Sequence, residues 1–261
     1  MIRYLFLFFL ANLLLIQCAF GFDVAGIRPL APFGVFSTFG AESLGKGRSG
    51  IAIGIEKSKD PDYYRFMNQF AYGITDNIEV DITVPYVVDW QSTTDGFEDI
   101  AFGVKHRFFD EGKYGPSIAY IISVSVHSGR PEFSTQGSIG GGLILSKRVG
   151  PITGHVNVLY FRPGTSKFTD DITFAAGLDF AASHNFKILG EVYGKKSYAG
   201  KVDRLELRLG YRILTTEHLF TTIGAGYDVK SRAPEYRLML SVSYLLSGET
   251  KKIKKIFEQE E

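Results

Sequence analysis

One cysteine, Cys18, stands in 261 residues, so neither a disulfide framework nor a cysteine-based zinc site can be built. Neither sign of charge is in excess: 29 Lys and Arg face 28 Asp and Glu, which leaves no electrostatic footprint for nucleic acid. The apolar run at the start, Tyr4 to Ile16, is broken by Asn12 and falls short of the ~20 residues a transmembrane helix needs. What the chain has in quantity is glycine and aromatic side chains, 29 Gly, 22 Phe and 14 Tyr, within a 45% apolar composition that is too high for a disordered chain.

The first segment reads as an export signal. Arg3 supplies the basic start and Tyr4 to Ile16 the apolar run. Ala19-Phe20-Gly21 puts small residues at the minus-three and minus-one positions, so cleavage is expected after Gly21. Cys18 raises a lipoprotein alternative, but Gln17 is bulky where that processing wants a small residue. With residues 1–21 removed, the two charge signs are equal and the chain has no cysteine.

From Gly50 onward the pattern has period two, in segments of about ten residues that end in Gly, Asn, Asp, Ser or Pro. In Ile78 to Val88, Ile78, Val80, Ile82, Val84 and Tyr86 share one face, while Glu79, Asp81, Thr83 and Pro85 share the other. In Arg204 to Ile213, Leu205, Leu207, Leu209 and Tyr211 oppose Arg204, Glu206, Arg208 and Arg212. Twelve such segments can be counted to Leu246, joined alternately by short turns and slightly longer loops. That rhythm predicts an up-and-down antiparallel meander.

The polar face carries charge at mid-strand, the segments match the ~9 to 11 residues of a tilted membrane strand, and aromatics gather at the strand ends. Together with the export signal these features predict an all-β, up-and-down antiparallel transmembrane β-barrel of about 12 strands in the outer membrane. A periplasmic β-sandwich is the alternative. The expected organisation is a signal peptide over 1–21, a periplasmic or plug segment over 22–48, the barrel over 49–246, and a charged periplasmic tail over 247–261. In this register Glu79, Asp81, Lys105, Arg107, Arg204, Glu206, Arg208 and Arg212 line the lumen as selectivity candidates. Ile121, Ile144, Leu159, Phe161, Leu189 and Tyr193 form an apolar arc. The charges either select a small solute or pair across the interior and close it; the spacing fits both.

Chemistry beyond this is sparse. Ser125 and His127 share a face, as do His155 and Asn157, but they point to the lumen and lack a lipid-facing His-x-Ser-Asn-Gly pattern. Gly140-Gly141-Gly142 lacks the strand-to-helix context and the Lys-Ser/Thr ending of a phosphate loop. His106, His184 and His218 are dispersed over a strand and two turns. No catalytic residue, metal site or cofactor is expected.

Three stretches carry a family resemblance: Phe70-Ala71-Tyr72-Gly73-Ile74-Thr75-Asp76-Asn77-Ile78-Glu79-Val80, then Val84-Pro85-Tyr86, then Gly96 to Phe108. With Leu44-Gly45-Lys46-Gly47-Arg48 ahead of them, they resemble the MetA-pathway-of-phenol-degradation family of outer-membrane proteins, over about Ala41 to Leu246. One departure is His127-Ser128-Gly129, where that family often has Pro-Thr-Gly. The resemblance implies a transporter-like barrel and brings no catalytic residues. The resulting expectation is a porin-like outer-membrane channel for small, aromatic or amphipathic solutes. Its expected partners are outer-membrane lipid and the small-molecule solute, with no nucleic acid and the oligomeric state left open. A closed structural barrel and, more remotely, a lipid-modifying barrel enzyme are the alternatives.

Overall fold

The computed structural model describes residues 24–90, 92–166, 168–197, 202–230 and 235–246. The expected signal peptide over 1–21 and charged tail over 247–261 lie outside them. Among the described residues there are thirteen strands: β1 (Ser49–Lys59), β2 (Tyr63–Gly73), β3 (Ile78–Trp90), β4 (Thr94–Phe97), β5 (Ile100–Phe109), β6 (Ser117–Val126) and β7 (Ser138–Val149), then β8 (Ile152–Pro163), β9 (Asp171–Ser183), β10 (Phe186–Ser197), β11 (Val202–Thr216), β12 (Leu219–Asp228) and β13 (Tyr236–Leu246). All are antiparallel to their neighbours. The wall closes where β1 meets β13, with Ser49 opposite Leu246 and Lys59 opposite Tyr236. Twelve strands form this closed barrel, and β4 is a short flap at its loop-side end.

Closure removes the sheet edges that an open meander would expose. At the turn between β7 and β8, Gly150 takes φ 58°, a left-handed conformation that suits glycine, and Val149 pairs with Ile152 across it. The β4 flap falls in a stretch that the sequence pattern assigns to a loop. It pairs with the outer end of β3, through Tyr86 with Phe97 and Val87 with Gly96, whereas the inner end of β3 pairs with β5. Pro85 lies between the two halves, where a residue without an N–H interrupts the ladder.

The two faces of the wall are inverted relative to a water-soluble protein. The largest fully buried side chains are headed by Arg65, Arg208, Arg212 and Arg237, while Leu209 is 71% exposed and Ile53 63%. Ile122, Val124, Leu143, Val156, Phe174, Leu178, Leu207 and Leu238 extend the same outward belt around the barrel. Arginine is almost never fully buried unless paired, and soluble monomers do not expose apolar surface on this scale. Such a wall has hydrocarbon as its outer solvent.

Outward aromatics edge both ends of the belt. Tyr72, Phe108, Phe180 and Tyr244 lie at the short-turn end, and Tyr160, Tyr227 and Tyr236 at the loop end. One aromatic that the alternation places in the loop-side ring, Trp90, faces inward instead. Tyr63 shares the inward face of β2 with Arg65, and Trp90 is turned inward by a register shift at the end of β3, where Asp89 takes φ 61°. Tyr63 and Trp90 meet edge-to-face with ring centroids 5.2 Å apart, and they close a small cluster with Phe133 that Val24 joins.

Residues 24–48 run inside this wall. Val24 packs at the loop-side mouth, and Gly47 donates its backbone N–H to the Gly73 carbonyl at the short-turn end. The segment therefore traverses the barrel from one mouth to the other before β1 begins. It has no sheet of its own beyond a single bridge, Gly34 with Phe39, and a tight turn in which Val35 N–H donates to the Thr38 carbonyl. Wall glycines make room for it. The space of a missing Cβ at Gly103 is filled by Ile27, and that at Gly224 by Phe36.

Candidate functional site

The lumen is the candidate site, and it is built around the backbone of the inner segment. A buried irregular chain must find a partner for each N–H and C=O, and here the wall side chains supply them. Glu98 accepts the Ala25 N–H at 2.7 Å. One oxygen of Glu191 accepts three donors: the N–H of Ser37 at 2.7 Å, the N–H of Thr38 at 2.9 Å and the Thr38 hydroxyl at 2.8 Å. Asn157 reads Phe39 both ways, accepting its N–H at 2.6 Å and donating to its carbonyl at 2.9 Å. Ser146 accepts from Ala41 N–H, and Glu79 from Leu44 N–H, each at 2.8 Å. On the carbonyl side, Arg212 donates to Gly34 at 2.9 Å, and Lys105 to Gly40 and Glu42 at 3.1 and 2.6 Å.

Behind these contacts the charges pair with one another. Arg65 joins Glu98 at 2.5 Å and Glu56 at 3.3 Å, Arg237 joins Glu56 at 2.6 Å and Glu206 at 3.5 Å, and Arg208 joins Glu206 at 2.9 Å and Glu191 at 2.7 Å. Arg204 also pairs with Glu206. The result is one continuous network across β2, β1, β13, β11 and β10. Lys105 and Glu79 form a separate pair at 2.7 Å. In a third group Lys187 meets Asp179 at 3.3 Å, while His155 Nδ1 lies 2.7 Å from Ser146 Oγ. Buried pairs of this kind hold position well, and each loses several kcal/mol if one partner is removed.

The sequence-derived residues distribute as follows. Arg204, Glu206 and Arg208 belong to the large network, Glu79 and Lys105 to the smaller pair, and Asp81 is buried beside them with Oδ2 unpartnered. Arg212 stands apart, bound to the inner segment and to Thr222 at 3.0 Å. Arg107 lies at the short-turn rim, where it pairs with Asp110 at 2.8 Å and donates to Asn77. Ile121, Ile144, Leu159 and Phe161 pack together against Ile27, Phe39 and Ala41 of the inner segment. Leu189 is buried on β10. Tyr193 belongs to the charged sector, its ring 4.6 Å from the Arg208 guanidinium and 5.4 Å from that of Arg204. Ser125 bonds Ser138 at 2.7 Å and His127 is exposed, so those two do not form a catalytic pair.

Several lumen residues were not singled out from the sequence. Glu56, Arg65 and Arg237 occupy inward positions of β1, β2 and β13 with the same alternation that reveals Arg204 to Arg212. Each is the one charge on the inward face of its strand, so no charged ladder shows. Glu98 lies in the short link between β4 and β5. At the adjoining position Asp99 organises the loop-side mouth: its oxygens accept from Gly129 N–H at 3.0 Å and from the Thr135 N–H and hydroxyl at 2.8 Å. Burial alone would raise the Asp99 carboxyl, but hydrogen bonds from Ser134, Thr135 and Gly129 outweigh it and hold the group below the usual carboxylate range.

Beside the inner segment, cavities of about 100, 50 and 40 Å³ remain. The largest opens between Val24–Arg28 and the loop-side ends of β7 to β10, the second between the segment and β1, β2, β12 and β13. The third lies at the His155, Asp179 and Lys187 group.

No family model matches the sequence, and no curated protein matches it. Solved structures do. The KdgM porin in complex with disordered oligogalacturonate is similar with a TM-score of 0.58 at 10% identity, over 75% of this chain and 98% of that one. An outer membrane channel from Pseudomonas putida F1 is similar at 0.56 and 12% identity, over 79% and 98%, and the NanC porin at 0.57 and 8%, over 76% and 99%. The fold is that of outer-membrane porins. At these identities the likeness is one of architecture, a closed antiparallel barrel of twelve strands with a lipid-facing exterior.

Proposed function

We propose that the chain is a porin-like outer-membrane channel for small solutes, exported by a signal peptide cleaved near Gly21, with residues 22–48 as its plug. One observation carries this reading: a closed wall with an apolar exterior and a buried polar interior encloses a segment of the same chain that is held by side-chain hydrogen bonds rather than by a sheet. A segment held in that way can leave without breaking a wall ladder. On this reading Glu79, Asp81, Lys105, Arg107, Arg204, Glu206, Arg208 and Arg212 set the selectivity of the path once the plug yields. The barrel then performs transport and no covalent chemistry. The resemblance to the phenol-degradation family supports the same class.

A closed structural barrel is the second reading, favoured by the pairing of lumen charges with one another. Planar-bilayer recordings of the refolded chain separate the two. Discrete conductance steps whose ion selectivity shifts in Asp81→Ala and Arg204→Ala support the channel. A silent bilayer containing demonstrably folded barrel, with the plug hydrogen bonds removed as well as intact, leaves the structural reading standing.

A further inference from the structure

Glu79 and Asp81 stand at successive inward positions of β3, and Lys105 is the cation beside them on β5. An ammonium has three N–H groups to donate. Lys105 commits them to Glu79 at 2.7 Å and to the Gly40 and Glu42 carbonyls at 3.1 and 2.6 Å. Glu79 also accepts the Leu44 N–H at 2.8 Å, so its ionised form is the one that wall and segment bind. Asp81 receives none of this. It is 6% exposed, its Oδ2 has no hydrogen-bond partner, and among the described residues it forms no ion pair. Two carboxyls thus share one positive charge.

The surroundings of Asp81 are apolar, and part of them belongs to the inner segment. Across the sheet it faces Ala71 of β2 and Gly103 of β5, and Thr83 follows it on the inward face of its own strand. The space of a missing Cβ at Gly103 is taken by Ile27 and lies 3.8 Å from Asp81 Cβ, so Ile27 and Asp81 meet over one wall glycine. Ala71 packs with Leu30, Ala31 and Leu44, and Ala101 with Ile27, Phe39 and Ala41. The nearby charges of the segment are engaged or turned away: Arg28 donates to Ser37, and the Glu42 side chain is exposed. An ionised carboxylate under such a cover, beside a second one, is strongly disfavoured, whereas the same group carrying a proton is not.

We propose that Asp81 is a proton-binding site, loaded while the inner segment is docked and emptied when the segment leaves. The inference rests on the reading of that segment as a plug and supplies its regulation. With the segment gone, water enters the lumen and Asp81 ionises near the ordinary pH of ~4. With the segment in place, Ile27 covers the carboxyl and the proton stays. Docking therefore takes up one proton above that ordinary range, until the covered group itself gives the proton up. Falling pH favours the docked form, and rising pH loosens it by up to about tenfold per pH unit for one proton. The plug is one that acid closes.

The test is hydrogen exchange of the refolded full chain from about pH 5 to 8, with protection factors read for residues 25–31 and 39–44. Protection is expected to fall by up to about tenfold per pH unit in the wild type. In Asp81→Asn, which keeps the shape of the protonated acid and cannot ionise, the segment should stay protected throughout. Asp81→Ala serves if that variant does not fold. Wild-type protection that ignores pH overturns the proposal, and so does a pH dependence that survives in the folded variant, since the proton would then sit elsewhere. Protection that follows sodium concentration at fixed pH overturns it as well and makes Asp81 a cation site. Recordings on the same preparation keep the two readings apart. Proton-linked protection in a silent barrel overturns the channel and leaves the site, whereas conductance with pH-independent protection overturns the site alone.

Discussion

Replacing Glu191 by alanine removes the residue that grips the inner segment at most points. One of its oxygens holds the Ser37 and Thr38 amides and the Thr38 hydroxyl. Hydrogen bonds to a charged group contribute about 1.5–3 kcal/mol each, and neighbouring bonds are not additive. Allowing water to replace part of the set, a net loss of about 3 kcal/mol is a conservative expectation, which corresponds to about a hundredfold rise in the undocked population. The wall survives because Arg208 keeps Glu206 at 2.9 Å when Glu191 is gone. Hydrogen exchange read by mass spectrometry should show residues 33–44 exchanging about a hundredfold faster, with β8 to β12 unchanged. Glu191→Gln retains the shape but not the charge, and should lie between the variant and the wild type. Unchanged exchange in 33–44 would refute the argument that side-chain hydrogen bonds hold the segment. A rise spread equally over the wall strands would show instead that Glu191 holds the barrel.

Three other outcomes follow from the same structure. Lys105→Met strands the buried Glu79 carboxylate and should cost about 3–5 kcal/mol in urea unfolding from vesicles; Lys105→Met with Glu79→Met should recover most of that loss, and additive losses would contradict the pairing. Leu209→Arg, at the middle of β11 and 71% exposed, should cost about 2–4 kcal/mol in a bilayer, as a lipid-facing charge near the midplane does. A near-zero change would place that face in water. Asp99 has a carboxyl held below its unfolded value, so its contribution is present above the ordinary range near pH ~4 and lost as pH falls through the folded value. The amide resonances of Gly129 and Thr135 should therefore shift together in acid, and in Asp99→Asn they should no longer move.

Strand number and facing were legible because a barrel wall imposes a strict alternation on every residue it contains. Ile78 to Tyr86 against Glu79 to Pro85 shows it without a structure. The exceptions mark places where the alternation slips. Trp90 reads as part of an outward ring until the irregularity at Asp89 turns it inward, and β4 hides in a stretch too short to show a period. Contacts across the lumen lay beyond the pattern for a different reason. Arg237 meets Glu56 at a separation of 181 residues, which depends on strand tilt and closure rather than on any local spacing. Residues 24–48 have no period at all, because their hydrogen bonds go to side chains of the wall instead of to a neighbouring strand.

The inner segment also has a meaning for how such a barrel comes to exist. Its partners lie on β3, β7, β8, β10 and β11, up to 180 residues away along the chain, and the wall is sealed by its first strand against its last. Contacts of such long range are slow to form because each encloses a large loop, yet five strands of the wall make theirs to the same thread. The thread is thus a mandrel as well as an obstruction: strands made at different times acquire a common object to arrange themselves around. Shortening it would do more than widen a hole. It would take away the form on which the cylinder is wound, and the cost would be read in the speed and fidelity of assembly before it was read in any current.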